Sequence, residues 1–321
     1  MDLPAGAPAA RILAFGGYQP AKVVTNDDLA AMIDTSDEWI RSRVGIASRR
    51  IAADDESVAD MAAAAGGKAL AASGLAADDI DLVIVATCTQ DAPIPNTSAR
   101  VAYRLGIRAP GAYDVNAACA GFCYALANAS DAVRAGSASA ALVIGAEKLS
   151  QWVDWTDRST CIIFADGAGA AVVTGADAAA DAGIGPVVWG SAGEHAEKIF
   201  IPDRKSFIRQ EGQSVFRWAT TVLAPVAQAA CARAGIAPSE LAAFVPHQAN
   251  LRIVEAIARQ LGARDMIVAD DIVESGNTSS ASIPLALARM TEKGQLRSGA
   301  PVLVLGFGAG MTYAAQVIVM P

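Results

Sequence analysis

The 321-residue sequence predicts a layered α/β/α/β/α fold built from two similar halves. First, residues 73–85 resemble residues 234–245: an Ala-rich helix ends at a glycine, a short loop follows, and an apolar strand comes next. Second, each of these strands is followed by a helix with a glycine C-cap, ending at 104–106 and 260–262. Third, residues 141–144 and 302–305 are continuously apolar, as expected for strands that helices cover on both faces.

These patterns place residues 1–175 in one half and residues 176–321 in the other, with an active site between them. Apolar residues make up 53% of the chain and charged residues 18%, which is typical of a compact globular protein. No apolar run is long enough to cross a bilayer, and the N-terminus lacks the basic and apolar regions of a signal peptide. We therefore expect a cytoplasmic protein that does not enter membranes.

Charge and cysteine content exclude further classes. The formal net charge of −8 argues against general nucleic-acid binding. The five cysteines lie mostly in apolar segments without metal-ligand spacing, so the sequence predicts neither a disulfide framework nor a metal site. His195, one of the two histidines, lies in a charged stretch and is interpreted as a surface residue.

Cys119 is the candidate nucleophile. It follows the extended stretch 112–115 and precedes an Ala-rich helical pattern that continues to Arg134. A thiol at a helix N-terminus is close to unpaired N–H groups and the positive end of the helix dipole, which predicts a lowered pKa. The alternative interpretation is a small buried apolar residue, the usual position of a free cysteine.

Two further segments contain polar groups that could act with this thiol. His247 follows the apolar run 241–246, and ligands of α/β proteins bind beyond the carboxyl ends of strands. Asn277 lies in the small polar loop 275–280, before another helical pattern. Taken alone, His247 could be a hydrogen-bonded structural residue and Asn277 an N-cap or turn residue.

Together, several motifs resemble β-ketoacyl-acyl carrier protein synthase III, a condensing enzyme of the thiolase fold. The motifs are residues 35–40, 118–122, 156–158, 245–250, 276–279 and 306–310, and the resemblance runs from about Arg11 to the C-terminus. It implies a thiolase-like fold, Cys119, His247 and Asn277 as catalytic residues, and an oxyanion hole formed by the backbone N–H groups of Cys119 and Ala309. The ordered agreement of these motifs favours the functional interpretation of all three side chains.

The resemblance also implies a reaction. An acyl-coenzyme A primer would acylate Cys119, and malonyl-acyl carrier protein would then undergo decarboxylative condensation to a 3-oxoacyl product that begins fatty acid synthesis. Acyl-coenzyme A enters as a substrate, and no metal or other cofactor is expected. A homodimer is expected from the family.

Further roles follow from the same resemblance. The residues expected to bind coenzyme A or substrate are Thr35, Trp39, Arg43, Arg158, Phe216, Ala249, Asn250 and Arg252. The residues expected to bound the acyl pocket are Cys88, Ile94, Leu149 and Phe164, with Ile94 reaching across a subunit interface. The candidates for docking the acidic carrier protein are Arg217, Arg252 and Arg259.

Other functions fit the residues less well. A papain-like protease shares the Cys-His-Asn order but not the flanking sequence, and a thiolase would have a second cysteine where this chain has Phe307-Gly308. A starter-unit ketosynthase or acyltransferase of a polyketide pathway is the strongest enzymatic alternative. A non-catalytic partner subunit of the same fold would typically lack the nucleophile, which is present here. Primer length and branching are not determined by the sequence.

Overall fold

The computed structural model describes residues 6–263 and 265–321. Its strands are β1 (Ala9–Tyr18), β2 (Lys22–Thr25), β3 (Ser48–Ile51), β4 (Leu82–Ala86), β5 (Gly111–Val115), β6 (Ala140–Lys148), β7 (Asp166–Ala176), β8 (Val188–Ser191), β9 (Ile199–Phe200), β10 (Arg209–Gln210), β11 (Ala243–Pro246), β12 (Ile267–Val268), β13 (Pro301–Gly308) and β14 (Thr312–Val319). Its helices are α1 (Asn26–Ala30), α2 (Asp37–Val44), α3 (Val58–Ser73), α4 (Thr97–Arg104), α5 (Gly121–Arg134), α6 (Gly212–Ala234), α7 (Leu251–Leu261), α8 (Ile272–Ser275) and α9 (Ser282–Glu292).

Two five-stranded sheets have matching topologies. The first has the order β5-β4-β6-β7-β1 and the second the order β12-β11-β13-β14-β8. In both, the first three strands are parallel and the last two are added antiparallel. The duplication predicted from the sequence is therefore present strand by strand.

Helices form the other three layers. The buried helices α5 and α9 lie between the sheets and contact strands of both. Helices α3 and α4 cover the outer face of the first sheet, while α6 and α7 pack together on the outer side of the second. The apolar runs at β6 and β13 are buried because helices cover them on both faces. The predicted five-layer α/β/α/β/α arrangement is confirmed.

The last strand of the first sheet along the chain, β7, ends at Ala176, and the first strand of the second sheet, β8, begins at Val188. This position is compatible with the predicted division after residue 175, which stays a prediction. A smaller apolar cluster joins α2, β3 and the segment 149–164 beside the two sheets. Among the described residues, none of the helices has the length and apolar character needed to cross a bilayer.

Candidate active site

A cavity of about 1120 Å³ opens between the two halves. Cys119, His247 and Asn277 all line it. Cys119 and His247 are separated by more than a hundred residues along the chain. The cavity lies beyond the carboxyl ends of β5 and β11, the edge of an α/β sheet at which ligands bind. The structure therefore brings together the three side chains that the sequence singled out.

Cys119 lies in a single 3-10 turn, Ala118–Ala120, between β5 and α5. Ala118 has a positive φ of 45°, which is uncommon for a residue with a side chain and marks the sharp turn that presents the thiol. The turn leads directly into α5, which begins at Gly121, two residues after Cys119. The predicted strand–turn–helix position of Cys119 is confirmed.

The pKa of this thiol differs from the sequence-based expectation. Burial raises the pKa of Cys119 to about 12, since its surroundings are mostly protein atoms although part of the residue faces the cavity. Hydrogen bonds from the Ser279 side chain and from the backbone N–H groups of Cys119 and Ala309 oppose this rise. The predicted lowering was wrong, because desolvation outweighs the hydrogen bonds and the sequence does not reveal how deeply the thiol is buried.

Gly308 explains how the C-terminal loop reaches the sulfur. A Cβ atom added at Gly308 would lie 2.7 Å from the Cys119 Cβ and 3.0 Å from its Sγ. The missing side chain lets the backbone of Ala309 approach closely enough to direct its N–H at the thiol. Gly310 does not have this role, because an added Cβ there would instead meet Thr312; its φ of 121° is what requires glycine.

His247 is held at the end of β11. Its ring is buried, and it packs edge-on against Phe307 with ring centroids 5.2 Å apart. The Nδ1 atom lies 2.7 Å from the Ser282 hydroxyl, which also accepts the Gln248 N–H at 3.3 Å. Since this hydroxyl can give its own proton to Nδ1, the contact favours the tautomer with the ring proton on Nε2. Burial lowers the pKa of His247 to about 3, so the ring is neutral at physiological pH.

Asn277 is fixed through both its backbone and its side chain. Its backbone N–H donates to Ile163 and its carbonyl accepts from Ala165, at 2.9 Å each. Its Oδ1 accepts the backbone N–H of Ser279 at 2.9 Å. This contact assigns the oxygen end of the amide and leaves Nδ2 to donate toward the cavity. His247 and Asn277 therefore offer two neutral donors to one space.

Sequence reasoning missed three polar residues around this centre: Glu147, Ser279 and Ser282. Ser279 lies in the turn before α9 and Ser282 is the first residue of that helix; the polar sequence indicated a loop here but not the partner of each hydroxyl. Glu147 is fully buried near the end of β6. A single carboxylate in an otherwise apolar buried strand was the signal that could have identified it.

Most of the residues predicted to bind coenzyme A line the same cavity. Those that do are Trp39, Arg43, Phe216, Ala249, Asn250 and Arg252. Thr35 and Arg158 are not among the lining residues. Arg158 lies directly over the Trp39 ring, with its guanidinium carbon 4.6 Å from the ring centroid. The two groups are in contact here, so a base stacked between them would have to separate them.

Three of the four predicted acyl-pocket residues, Cys88, Leu149 and Phe164, line the cavity. Ile94 does not, and it is 83% exposed on the surface of the chain. An exposed isoleucine cannot bound a pocket of its own chain. Its predicted role is therefore compatible with this geometry only across a subunit interface.

The predicted docking arginines are divided between the cavity mouth and the surface. Arg217 and Arg252 line the cavity, on the neighbouring helices α6 and α7. Arg259 is exposed, does not line the cavity, and lies 3.7 Å from Glu255 one turn away. Arg43 and Arg204 also line the cavity, and Arg204 was not predicted from the sequence. His195, interpreted as a surface residue, is partly exposed in the turn Gly193–Lys198.

Comparison with sequence families identifies the chain. The model of the 3-oxoacyl-[acyl-carrier-protein] synthase III family matches residues 113–193, and the model of its C-terminal part matches residues 231–320. A relative from Streptomyces coelicolor, "Beta-ketoacyl-[acyl-carrier-protein] synthase III 4", is 57% identical over 311 residues, which cover 97% of this chain and 98% of the relative. The chain belongs to the synthase III family.

Solved structures agree with this assignment to synthase III. The priming β-ketosynthase from the R1128 polyketide biosynthetic pathway matches with a TM-score of 0.96 and 40% identity, over 100% of this chain and 98% of that structure. The 3-oxoacyl-[acyl-carrier-protein] synthase III from Aquifex aeolicus matches with a TM-score of 0.93 and 38% identity, over 97% and 100%. The predicted family and its thiolase-type fold are confirmed, and members of the family are acyltransferase-type condensing enzymes.

Proposed function

We propose that the chain joins an acyl-coenzyme A primer to malonyl-acyl carrier protein with loss of carbon dioxide, giving a 3-oxoacyl-acyl carrier protein that starts fatty acid synthesis. One observation carries the proposal: a thiol, a neutral imidazole and an amide converge on one cavity, in a chain of the synthase III family. The thiol supplies a nucleophile and the other two supply hydrogen-bond donors. These are the groups that the two half-reactions require.

In the first half-reaction, the Cys119 sulfur attacks the thioester carbonyl of the primer. The backbone N–H groups of Cys119 and Ala309 lower the pKa of the thiol as hydrogen-bond donors, which supports their role in stabilising the oxyanion that forms beside the sulfur. Coenzyme A leaves, and the acyl group stays on Cys119. The aliphatic and aromatic side chains of Leu149 and Phe164 line the same cavity as the thiol and would give the acyl group apolar surroundings.

In the second half-reaction, the malonyl thioester oxygen lies between His247 Nε2 and Asn277 Nδ2. As carbon dioxide leaves, negative charge develops on this oxygen, and two neutral donors stabilise it. The carbanion attacks the carbonyl of acyl-Cys119, and the C–C bond forms as the C–S bond breaks. A neutral imidazole suits this role because a charged ring would protonate the carbanion rather than only polarise the thioester.

Labelling of Cys119 tests the proposed function. Incubation with radiolabelled short acyl-coenzyme A esters is expected to place one acyl group on Cys119 and to release an equal amount of coenzyme A. A Cys119→Ala variant is the matched control and is expected to take no label. A chain that takes no label from any ester in a panel of graded length and branching would contradict the proposal and favour a non-catalytic member of the fold.

A second candidate function is priming of a polyketide pathway. The R1128 priming ketosynthase is the specific observation in its favour, because its structure matches this chain over its full length. The same triad would serve both pathways, so the carrier protein is what separates them. Condensation with the carrier protein of fatty acid synthesis, compared with that of a polyketide pathway, discriminates between the two.

The arginines at the cavity mouth support docking of an acidic carrier protein. Arg252 lines the cavity and lies over the Phe216 ring, 5.5 Å from its centroid, which orients its guanidinium at the entrance. The whole chain is acidic, with a net charge of −8, so a local cluster of arginines is needed to attract an anionic partner.

Exchange of Arg252 for glutamate is expected to raise the KM for malonyl-acyl carrier protein about tenfold and to weaken its salt dependence. The substitution changes the charge at the cavity mouth by two units and replaces attraction of the acidic carrier protein with repulsion. Steady-state kinetics at two ionic strengths provide the measurement. Arg297→Glu, which makes the same charge change at an exposed arginine that does not line the cavity, is the control; an equal effect of both substitutions would contradict a specific role for Arg252.

The remaining features of the proposal concern assembly and location. Strand β5 is at the edge of the first sheet, and the nearby side chains Ile94, Tyr103 and Tyr113 are exposed. An unpaired edge with exposed apolar side chains supports a homodimer formed at this edge. The family's expected cytoplasmic location and its need for no cofactor besides the substrate coenzyme A belong to the same proposal.

A further inference from the structure

Glu147 is a buried carboxyl group that the proposed reaction does not use. It is 0% exposed, and its partners are the hydroxyls of Thr87, Thr89, Ser279 and Ser280 together with the N–H and thiol of Cys88. None of these partners carries a positive charge. A buried carboxylate without a cation is costly, and burial raises the pKa of Glu147 accordingly.

A chain of hydrogen bonds links this carboxyl group to the nucleophile. Glu147 Oε1 lies 3.1 Å from the Ser279 hydroxyl. The turn that contains Ser279 packs against the turn that contains Cys119, both residues line the cavity, and the Ser279 side chain lowers the pKa of the Cys119 thiol as a hydrogen-bond partner. A thiol proton can therefore pass to Ser279 as Ser279 passes its own proton to Oε1. Ser279 is held in an uncommon backbone conformation: its φ is 51°, and its N–H donates to Asn277 Oδ1.

The contacts of Ser280 show that the site can also accommodate the protonated carboxyl group. Its Oγ lies 2.8 Å from the Ala86 carbonyl and 2.9 Å from Glu147 Oε1. One hydroxyl proton cannot be donated to both acceptors. If Ser280 donates to Ala86, a protonated Glu147 can donate to Ser280, and every polar group of this cluster then has a partner.

We propose that Glu147 holds the proton of Cys119 while the acyl-enzyme exists, acting through Ser279. The inference rests on the proposed function for the identity of the acyl donor, but its geometry concerns the thiol alone. Glu147 is a positioning and proton-holding residue, since it does not touch the substrate. The titratable groups that interact with it are the thiols of Cys88 and Cys119.

The protons and electrons balance over one turnover. In acylation, the thiol proton moves through Ser279 to Glu147, the sulfur electron pair forms the new C–S bond, and coenzyme A leaves as a thiolate that takes a proton from solvent. In condensation, the electron pair left by departing carbon dioxide forms the C–C bond, and Cys119 leaves as a thiolate. The stored proton then returns from Glu147 through Ser279, so one solvent proton is consumed and Glu147 ends as it began.

Two measurements on the whole enzyme test the inference: the rate of Cys119 acylation by acyl-coenzyme A, and the pH profile of alkylation by iodoacetamide. Glu147→Gln keeps the shape of the side chain but cannot accept the proton. It is expected to slow acylation about a hundredfold, the lower range for loss of a general base, and to shift alkylation to higher pH. Ser279→Ala interrupts the chain of hydrogen bonds and is expected to act in the same direction, while Glu147→Asp restores part of the rate.

A faster alkylation of Cys119 in Glu147→Gln, the opposite of the expected change, is the decisive contrary result. As a negative charge near the sulfur, Glu147 raises the pKa of Cys119, so a carboxylate acting only through its charge would make Glu147→Gln alkylate faster at neutral pH. Faster or unchanged alkylation would overturn the inference. Thr87→Val is the control for packing, because Thr87 contacts the other carboxyl oxygen, Oε2, at 3.2 Å; an equal loss in this variant would also overturn it.

The test stays decisive if Glu147→Gln does not fold and if the proposed function fails. If Glu147→Gln does not fold, Ser279→Ala, which leaves the carboxyl group in place, provides the same comparison. Failure of the proposed function is distinguishable, because it would abolish acylation in the unmodified protein whereas iodoacetamide reads the Cys119 thiol without any acyl donor.

Discussion

Exchange of Asn277 for aspartate is expected to lower the rate of malonyl-acyl carrier protein decarboxylation by about 10²–10³-fold, or about 3–4 kcal/mol of transition-state stabilisation. Aspartate keeps the oxygen that accepts the Ser279 N–H but replaces the Nδ2 donor with a negatively charged oxygen. His247→Ala removes the second donor and is expected to cause a loss of similar size. Release of carbon dioxide from malonyl-acyl carrier protein without primer is the measurement.

Acylation provides the internal comparison for both variants. Its oxyanion donors are the N–H groups of Cys119 and Ala309, so labelling of Cys119 should change only a few-fold. Because the pKa of His247 is lowered to about 3, the ring stays neutral from pH 5 to 8, and decarboxylation should lack an acid limb near pH 6.5 that depends on His247. Equal loss of both half-reactions, or such a limb that His247→Ala removes, would contradict the division of labour between the two donor pairs.

The fold was accessible from the sequence because its strongest constraints are local and repeated. Runs such as 141–144 and 302–305 are apolar throughout, and only strands covered on both faces bury every side chain of such a run. The repeated pattern of helix, glycine and strand then gave the duplication. The sequence did not specify the small β2–β3 pair or the segments 149–164 and 199–210, because these pack around the cavity through contacts distant along the chain.

The site was predictable in its reacting groups but not in its supporting groups. Cys119 follows an extended stretch and His247 follows an apolar run, and both were recognised as strand ends, so their positions follow from topology. Ser282 and Glu147 owe their importance to contacts that span 35 residues to His247 and 132 residues to Ser279. No local pattern contains that information.

The pKa of Cys119 illustrates the same limit in energetic terms. Proximity to the start of α5 is visible in the sequence, and it predicts a more acidic thiol. The extent of burial depends on how closely the C-terminal loop and the Ser279 turn enclose the sulfur, and burial is the larger effect. Burial therefore favours the protonated thiol, which is the opposite of what the helix start alone predicts.

Gly308 provides the most direct test of that enclosure. Its backbone is extended, a conformation open to any residue, so space alone requires glycine here. In Gly308→Ala the new Cβ would lie 2.9 Å from the Cys119 N and 3.0 Å from its Sγ, which forces the Ala309 N–H away from the sulfur. Acylation is expected to fall at least about a hundredfold, with the loss of one oxyanion donor. The free energy of unfolding is expected to fall by about 1–3 kcal/mol, the usual cost of overpacking.

Acyl labelling and urea denaturation measure these two effects separately. Gly193→Ala is the matched control, because an added Cβ there has no neighbour within 4 Å and the substitution should leave both quantities unchanged. If Gly308→Ala lost stability but acylated Cys119 at the normal rate, the loop would have moved without cost to the reaction. The Ala309 N–H would then not be the donor that stabilises the oxyanion, and the close approach at Gly308 would serve packing alone.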